Sequence, residues 1–257
     1  MAGRALAVFA AAVLTAGCSP VPPAVTGRFV SLPDSAGGHP AAFTWTPDGG
    51  LRPGLTIVDA TAGAPSDCTI GWPVTASDGH RGYLTAGHCS GGLGGATWVY
   101  TDGGARGRMD LGPYVLHEDD TLHDGTMVDA AAAFLPADTP PERWGTSVAG
   151  HPIAGVLAPR EVAGLPRGTP VCMLGARAGA VCGPLLDADT KTLHWGGYAV
   201  DGDSGAALFV VNPDRSVCAL GVLHDGPTDR DNTVAYVDPA LQRWHLTIPV
   251  SAQAERC

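Results

Sequence analysis

A serine, a histidine and several aspartates are the residues of this sequence whose types could perform nucleophilic catalysis. Ser204 lies in DGDSGAALFV, between glycines that favour a tightly turned backbone and before an apolar run that predicts a buried strand. A serine hydroxyl becomes an effective nucleophile when an imidazole accepts its proton and a carboxylate fixes the tautomer of that imidazole. The alternative is an ordinary polar turn, because glycine, aspartate and serine all favour turns.

His88 has the most informative context among the nine histidines of the chain. It lies in YLTAGHC, where an apolar, strand-like run ends in a glycine, the histidine and a cysteine that a disulfide could hold. We therefore take His88 as the candidate base for Ser204.

Four aspartates between these two residues are candidates for the carboxylate: Asp119, Asp120, Asp124 and Asp129. The first three lie in HEDDTLHDG, which is typical of a solvated acidic loop. Asp129 instead opens the apolar run DAAAAFL and would be buried at the start of a strand, which favours it. The alternative is a helix with Asp129 as its N-cap, because alanine favours helices and aspartate caps them.

The motifs LTAGHC and GDSG together resemble those of the chymotrypsin-type serine proteases, in particular the bacterial streptogrisin and alpha-lytic protease branch. The resemblance spans roughly residues 65–245 and implies an all-β fold of two antiparallel six-stranded β-barrels with the active site between them. It implies that His88 is the general base, Asp129 its partner and Ser204 the nucleophile. The backbone N–H groups of Gly202 and Ser204 would form the oxyanion hole.

Cys18 ends an N-terminal segment that has the features of an export signal and is set aside. The other six of the seven cysteines remain for pairing, which fits an oxidising compartment. The resemblance implies two of the pairs, since VCMLGARAGAVCG is similar to a bridged loop of that branch. The last two cysteines are left for each other, without a precedent in the family. The expected bridges are thus Cys68 with Cys89, Cys172 with Cys182, and Cys218 with Cys257.

The substrate channel departs from the family pattern. The resemblance places Tyr198, His224 and Gly226 along this channel, with His224 in GVLHDG where a serine is usual. A histidine there would either select acidic side chains or narrow the pocket, and the sequence leaves both alternatives open.

A second departure concerns Asp203, which the resemblance places behind the nucleophile as a buried carboxylate. Met173 stands where the branch commonly has an arginine that pairs with this aspartate. A buried charge without partners is costly. We therefore expect either a cation, Arg177 or another, or backbone donors to satisfy Asp203.

The ends of the chain predict export and define the domain. Residues 1–18 have the charged, apolar and small-residue zones of a bacterial lipoprotein signal, in which Cys18 becomes the lipidated first residue. A conventional secretory signal that leads to a secreted protein is the alternative. Residues 19–64 are rich in proline and glycine, which predicts a tether and an irregular lead-in.

Short apolar segments between turn signals predict a protease domain at residues 65–250. Its first barrel is expected at about residues 65–140 and its second at about residues 148–250.

Composition excludes some classes of function. The formal charge of −10 leaves no basic surface for a nucleic acid. We expect no cofactor and no metal, since the cluster His117, Glu118, Asp119, Asp120 and His123 lacks a recognisable ligand spacing.

The sequence thus predicts a monomeric, exported serine endopeptidase that is anchored to the membrane by lipid and acts on proteins or peptides. The alternative is a catalytically silent surface lipoprotein that binds peptides or a partner protein.

Overall fold

The computed structural model describes residues 29–35, 39–60 and 65–257, so the expected export signal and Cys18 lie outside the described residues. Two short α-helices, α1 (Pro159–Ala163) and α2 (Val237–Arg243), accompany the strands. The strands are β1 (Thr56–Asp59), β2 (Ser66–Thr69), β3 (Pro73–Ala76), β4 (Arg81–Thr85), β5 (Thr97–Tyr100), β6 (Arg108–Gly112), β7 (Tyr114–Thr121), β8 (Met127–Phe134), β9 (Ser147–Val148), β10 (His151–Val156), β11 (Pro170–Gly175), β12 (Gly179–Ala188), β13 (Leu193–Trp195), β14 (Ala207–Val211), β15 (Val217–Thr228), β16 (Asp231–Tyr236) and β17 (Leu246–Thr247).

The predicted pair of β-barrels is confirmed. In the second barrel the strands follow the order β14-β11-β12-β13-β16-β15, and pairing of β15 with β14 closes it. The first barrel is divided between a sheet of order β2-β1-β5-β6 and a sheet of order β17-β3-β4-β8-β7. Because β17 comes from the end of the chain, the C-terminal segment crosses back and ties the two barrels together.

The apolar run after Ser204 is strand β14, and both of its faces are buried. Leu208 and Val210 pack in the interior of the second barrel. Phe209 and Val211 alternate with them and pack on the opposite side, in a cluster that also contains residues of the first barrel. A strand that is buried on both faces has no position for a polar residue, which explains the uninterrupted apolar sequence.

The alanine run after Asp129 is strand β8, so the alternative in which Asp129 caps a helix is wrong. Strand β8 is hydrogen-bonded to β4 on one side and to β7 on the other. Ala131 and Ala133 point into the core of the first barrel, and Ala132 points into the cluster between the barrels. Pairing on both edges and burial on both faces outweigh the helix propensity of the alanines.

Two segments outside residues 65–250 pack against the barrels. On the N-terminal side, Phe29 and Leu32 are each 8% exposed, and β1 lies between β2 and β5. On the C-terminal side, the chain continues to Cys257, which is bonded to Cys218. Proline and glycine interrupt the apolar alternation of the N-terminal segment, and for this reason its sequence does not indicate a folded structure.

Three disulfides are present, and their pairing is the expected one: Cys68–Cys89, Cys172–Cys182 and Cys218–Cys257. The first joins β2 to the short 3-10 turn Gly87–Cys89, which carries His88. The backbone on both sides of His88 is therefore restrained, by β4 before it and by the disulfide after it. Within residues 29–35, 39–60 and 65–257, no helix has the length and apolar character needed to cross a bilayer.

Candidate active site

The loop that carries Ser204 is hydrogen-bonded to both barrels. The carbonyl oxygen of Ser204 accepts the backbone N–H of Thr69, from the first barrel, at 2.8 Å. The N–H of the next residue, Gly205, donates to the carbonyl oxygen of Leu223, in the second barrel, also at 2.8 Å. Ser204 is thus held by backbone contacts on both sides, and its side chain makes no hydrogen bond with the described part of the chain.

Asp203 is completely buried, and backbone amides satisfy its carboxylate. The N–H groups of Arg177, Ala178 and Val200 donate to it at 2.8, 3.0 and 3.1 Å. Burial raises the pKa of Asp203, and these three donors oppose the rise only in part. The Arg177 guanidinium donates elsewhere, to the carbonyl oxygens of Ala41 and Asp201. Of the two expected solutions for this aspartate, the structure therefore uses the backbone donors.

The backbone before Ser204 turns through a glycine and leaves two N–H groups without an acceptor in the described part of the chain. Gly202 has a φ of 93°, and its carbonyl oxygen accepts a hydrogen bond from Oγ1 of Thr69 at 2.9 Å. The N–H groups of Gly202 and Ser204 donate to no other group in the described part of the chain. Two amides that have no partner within the fold are available to a ligand oxygen at this position.

His88 and Asp129 form a doubly hydrogen-bonded pair. The Nδ1 of His88 lies 2.9 Å from Oδ2 of Asp129, and the backbone N–H of His88 donates to Oδ1 at 2.8 Å. A carboxylate can only accept, so Nδ1 must carry the proton and Nε2 is left as the basic nitrogen. Nε2 has a single weak contact, at 3.9 Å from the bonded sulfur of Cys89.

Burial distinguishes Asp129 from the other candidate carboxylates. The side chain of Asp129 is 1% exposed, whereas Asp119, Asp120 and Asp124 are exposed on strand β7 and the turn after it. Burial acts to raise the pKa of Asp129, but the hydrogen bonds from His224 and His88 outweigh it and hold this pKa below its usual range. Asp129 is therefore ionised at neutral pH and can stabilise a positive charge on an imidazole.

His224 contacts Asp129. The sequence analysis placed His224 along the substrate channel and did not predict this contact. Its Nδ1 lies 2.7 Å from Oδ2 of Asp129, the oxygen that also accepts from His88. The two imidazole rings meet edge to face, with centroids 5.4 Å apart. The unusual histidine in GVLHDG was a signal that sequence reasoning noticed, but its partner is visible only in the structure.

A cavity of about 470 Å³ brings the candidate residues together. His88, Ser204, His224 and Gly226 all line it, together with the aspartates Asp201, Asp225 and Asp229. In the described residues no hydrogen bond joins Ser204 to His88; contacts of this kind are often longer before a substrate binds.

Tyr198, the remaining residue expected along the channel, lies outside the lining of this cavity. Its ring packs against the core of the second barrel, with the Arg230 guanidinium 5.4 Å from its centroid.

Two groups among the described residues have ligand atoms close enough for a metal ion. One contains His88 with Cys68 and Cys89, whose sulfurs are joined in a disulfide and are not thiolates. The other is His88, Asp129 and His224, whose short contacts are hydrogen bonds. Neither group includes the acidic stretch of residues 117–123, where Glu118 instead pairs with Arg243 at 2.7 Å.

Solved structures share this architecture. Nocardiopsis protease is 21% identical, with a TM-score of 0.54, over 78% of this chain and 99% of that chain. Thermobifida fusca protease A is 18% identical, with a TM-score of 0.56, over 78% and 99%. A glutamic acid-specific serine protease that uses a histidine triad in substrate binding is 17% identical, with a TM-score of 0.55, over 77% and 100%.

The chain therefore has the double-barrel fold of the bacterial chymotrypsin-like serine proteases. Comparison with protein-family models and with curated sequences finds no match.

Gly205 offers a test of the packing around the nucleophile loop. An added Cβ would lie 2.0 Å from Oγ1 of Thr85 and 2.7 Å from the amide of Ala86, at a backbone φ of 81°. We expect Gly205→Ala to lower the free energy of unfolding by about 3 kcal/mol or more, from strain and overpacking together.

Gly79 provides the matched control, because its φ is 88° and nothing lies within 4 Å of its added Cβ. Gly79→Ala should lose only about 1–2 kcal/mol, the cost of the left-handed backbone alone. Denaturant unfolding of both variants measures the difference. Equal losses would contradict the close packing of Gly205.

Proposed function

We propose that this chain is a serine endopeptidase in which Ser204 is the nucleophile, His88 the general base and Asp129 the residue that orients His88. The observation that carries the proposal is the hydrogen bond of His88 to the buried Asp129, because His88 lines the same cavity as Ser204 on a protease fold. The two unpartnered amides beside Ser204 support it further, because acyl transfer needs donors for the oxyanion.

In the proposed reaction, Oγ of Ser204 attacks the carbonyl carbon of the scissile peptide while Nε2 of His88 takes the hydroxyl proton. The amides of Gly202 and Ser204 donate to the oxyanion. Collapse of the tetrahedral intermediate breaks the C–N bond, and His88 returns its proton to the departing amine. Water then attacks the acyl-enzyme with His88 again as base, which releases the acid and regenerates Ser204.

The assignment predicts the behaviour of substitutions at each position. Ser204→Ala and His88→Ala should each abolish peptide cleavage and labelling by a fluorophosphonate, and the double variant should be no worse than either single one. Asp129→Asn should lose on the order of 10⁴ in turnover, because the productive tautomer of His88 is no longer favoured.

Peptide mapping of the labelled protein, with thermal melting as a check on folding, provides the measurement. Folded wild-type protein that takes up no label, or Ser204→Ala that takes up as much, would favour the catalytically silent peptide-binding lipoprotein.

We propose further that the protein is exported and anchored through a lipid on Cys18. The disulfides support an oxidising compartment. The apolar run before Thr15-Ala16-Gly17-Cys18 supports the lipid, because small residues before a cysteine are typical of a lipoprotein signal. A diacylated residue would give stable attachment to a membrane surface.

Cell fractionation tests the anchor. The full-length protein should be found in the membrane fraction, and Cys18→Ala should shift it to the soluble or secreted fraction. A wild-type protein that is entirely soluble would rule out the lipid anchor and leave the conventional secretory signal.

The charge of the cavity supports a preference for basic side chains in the substrate. Apart from the two histidines, its charged lining residues are Asp201, Asp225 and Asp229. His224 is already bonded to a carboxylate, so it is a poor ligand for an acidic substrate. We therefore propose a preference opposite to that of the glutamic acid-specific neighbour: the aliphatic stem of lysine or arginine would pack on Val200 and Leu223, with its charge near the aspartates.

Peptide substrates that differ only in the residue before the scissile bond test this preference. We expect kcat/KM for arginine or lysine to exceed that for glutamate by roughly a hundredfold at low salt, and high salt to reduce the ratio. Asp225→Asn should lower the ratio several-fold. Asp110→Asn, which makes the same charge change outside the cavity, should leave it unchanged. A preference for glutamate would show that the carboxylates do not set the specificity.

A further inference from the structure

One oxygen of Asp129 accepts hydrogen bonds from two imidazole rings. The Nδ1 atoms of His88 and His224 lie 2.9 and 2.7 Å from Oδ2, while Oδ1 accepts the backbone N–H of His88. Because a carboxylate cannot donate, both Nδ1 atoms must carry protons. Asp129 is therefore held by His224 through one hydrogen bond and by His88 through two.

His224 has little capacity left for a substrate. Its side chain is 23% exposed, its Nδ1 is bonded to Asp129, and its Nε2 lies 3.8 Å from Oδ1 of Asp225. Both nitrogens thus face carboxylates of the protein. This arrangement gives His224 a role within the site in place of the substrate contact expected from its position in the sequence.

We propose that His224 is a positioning residue for the proposed reaction: it orients Asp129 through its Nδ1–H and, when protonated, opposes the uptake of a proton by His88. The inference rests on the proposed function, since it concerns the base of that reaction. His88 must become an imidazolium in the transition state, next to Asp129. If His224 already carries a positive charge on the same carboxylate, the second charge 5.4 Å away is disfavoured.

The charges around His224 favour its protonation. The hydrogen bond to Asp129 raises the pKa of His224, burial opposes the rise, and the nearby carboxylates of Asp225 and Asp119 add to it. The other titratable neighbour is His88. His224 therefore keeps its proton to a higher pH than an isolated histidine does, because its pKa is raised.

The test is the rate at which a neutral fluorophosphonate labels Ser204, measured across roughly pH 4 to 9. The acid limb of the wild-type profile should require two protonations. His224→Asn keeps an N–H donor but cannot be charged, so its limb should fit a single protonation with a midpoint at lower pH. His224→Leu removes the donor and should label about tenfold more slowly at every pH.

His80→Asn is the matched control, because His80 pairs with Asp78 at 2.9 Å on the surface outside the site. It should leave the wild-type profile unchanged. Acid limbs of the same shape and midpoint in wild type and His224→Asn would overturn the inference.

Histidine titration by NMR separates the inference from the proposed function. In Asp129→Asn, the ring of His224 should titrate at a lower pH than in wild type, because the partner charge has been removed. This shift is expected even if Ser204 takes up no label, a result that would refute the protease assignment alone. An unchanged titration of His224 would refute the contact on which the inference depends.

Discussion

The hydrogen bonds of Thr69 are the constraint on which the geometry of the site depends. This buried residue at the end of β2 donates its backbone N–H to the carbonyl oxygen of Ser204 and its hydroxyl to that of Gly202. Its hydroxyl also accepts the N–H of Ala176, and its carbonyl oxygen accepts from Thr85. One side chain and its backbone thereby connect the first barrel with the loop of the second barrel that carries the nucleophile.

Close packing around this connection explains the small residues nearby. An added Cβ on Gly71 would lie 2.3 Å from the carbonyl oxygen of Gly205, so these two segments of the chain are in contact through their backbones. On the far side of the loop, Asp203 is held by three amides and needs no cation. Backbone donors with fixed directions can satisfy a buried carboxylate, and these three hydrogen bonds hold the loop that carries Ser204 in place.

Asp129 is the second point at which the barrels meet. It comes from strand β8 of the first barrel, and it contacts His88 of the same barrel and His224 of strand β15 in the second. The carboxylate of Asp129 therefore accepts hydrogen bonds from two imidazole rings, one from each barrel. Because the two rings come from different barrels, the hydrogen bonding of this carboxylate depends on the way the barrels pack.

Local patterns in the sequence were sufficient to predict the β class and the strand that follows Ser204. They were also sufficient to select His88 and Ser204 as candidate site residues from their motifs. These depend on neighbours a few residues away, namely glycines that permit turns and apolar runs that form buried strands. Tertiary structure decided between the favoured strand and the alternative helix cap for Asp129, chose backbone amides as the partners of Asp203, and brought His224 against Asp129. Each of these outcomes depends on packing between distant segments, as with Asp129 and His224, which are 95 residues apart. Propensity and motif cannot determine such contacts, because the folded barrels, and not the neighbouring residues, set the distance between the two side chains.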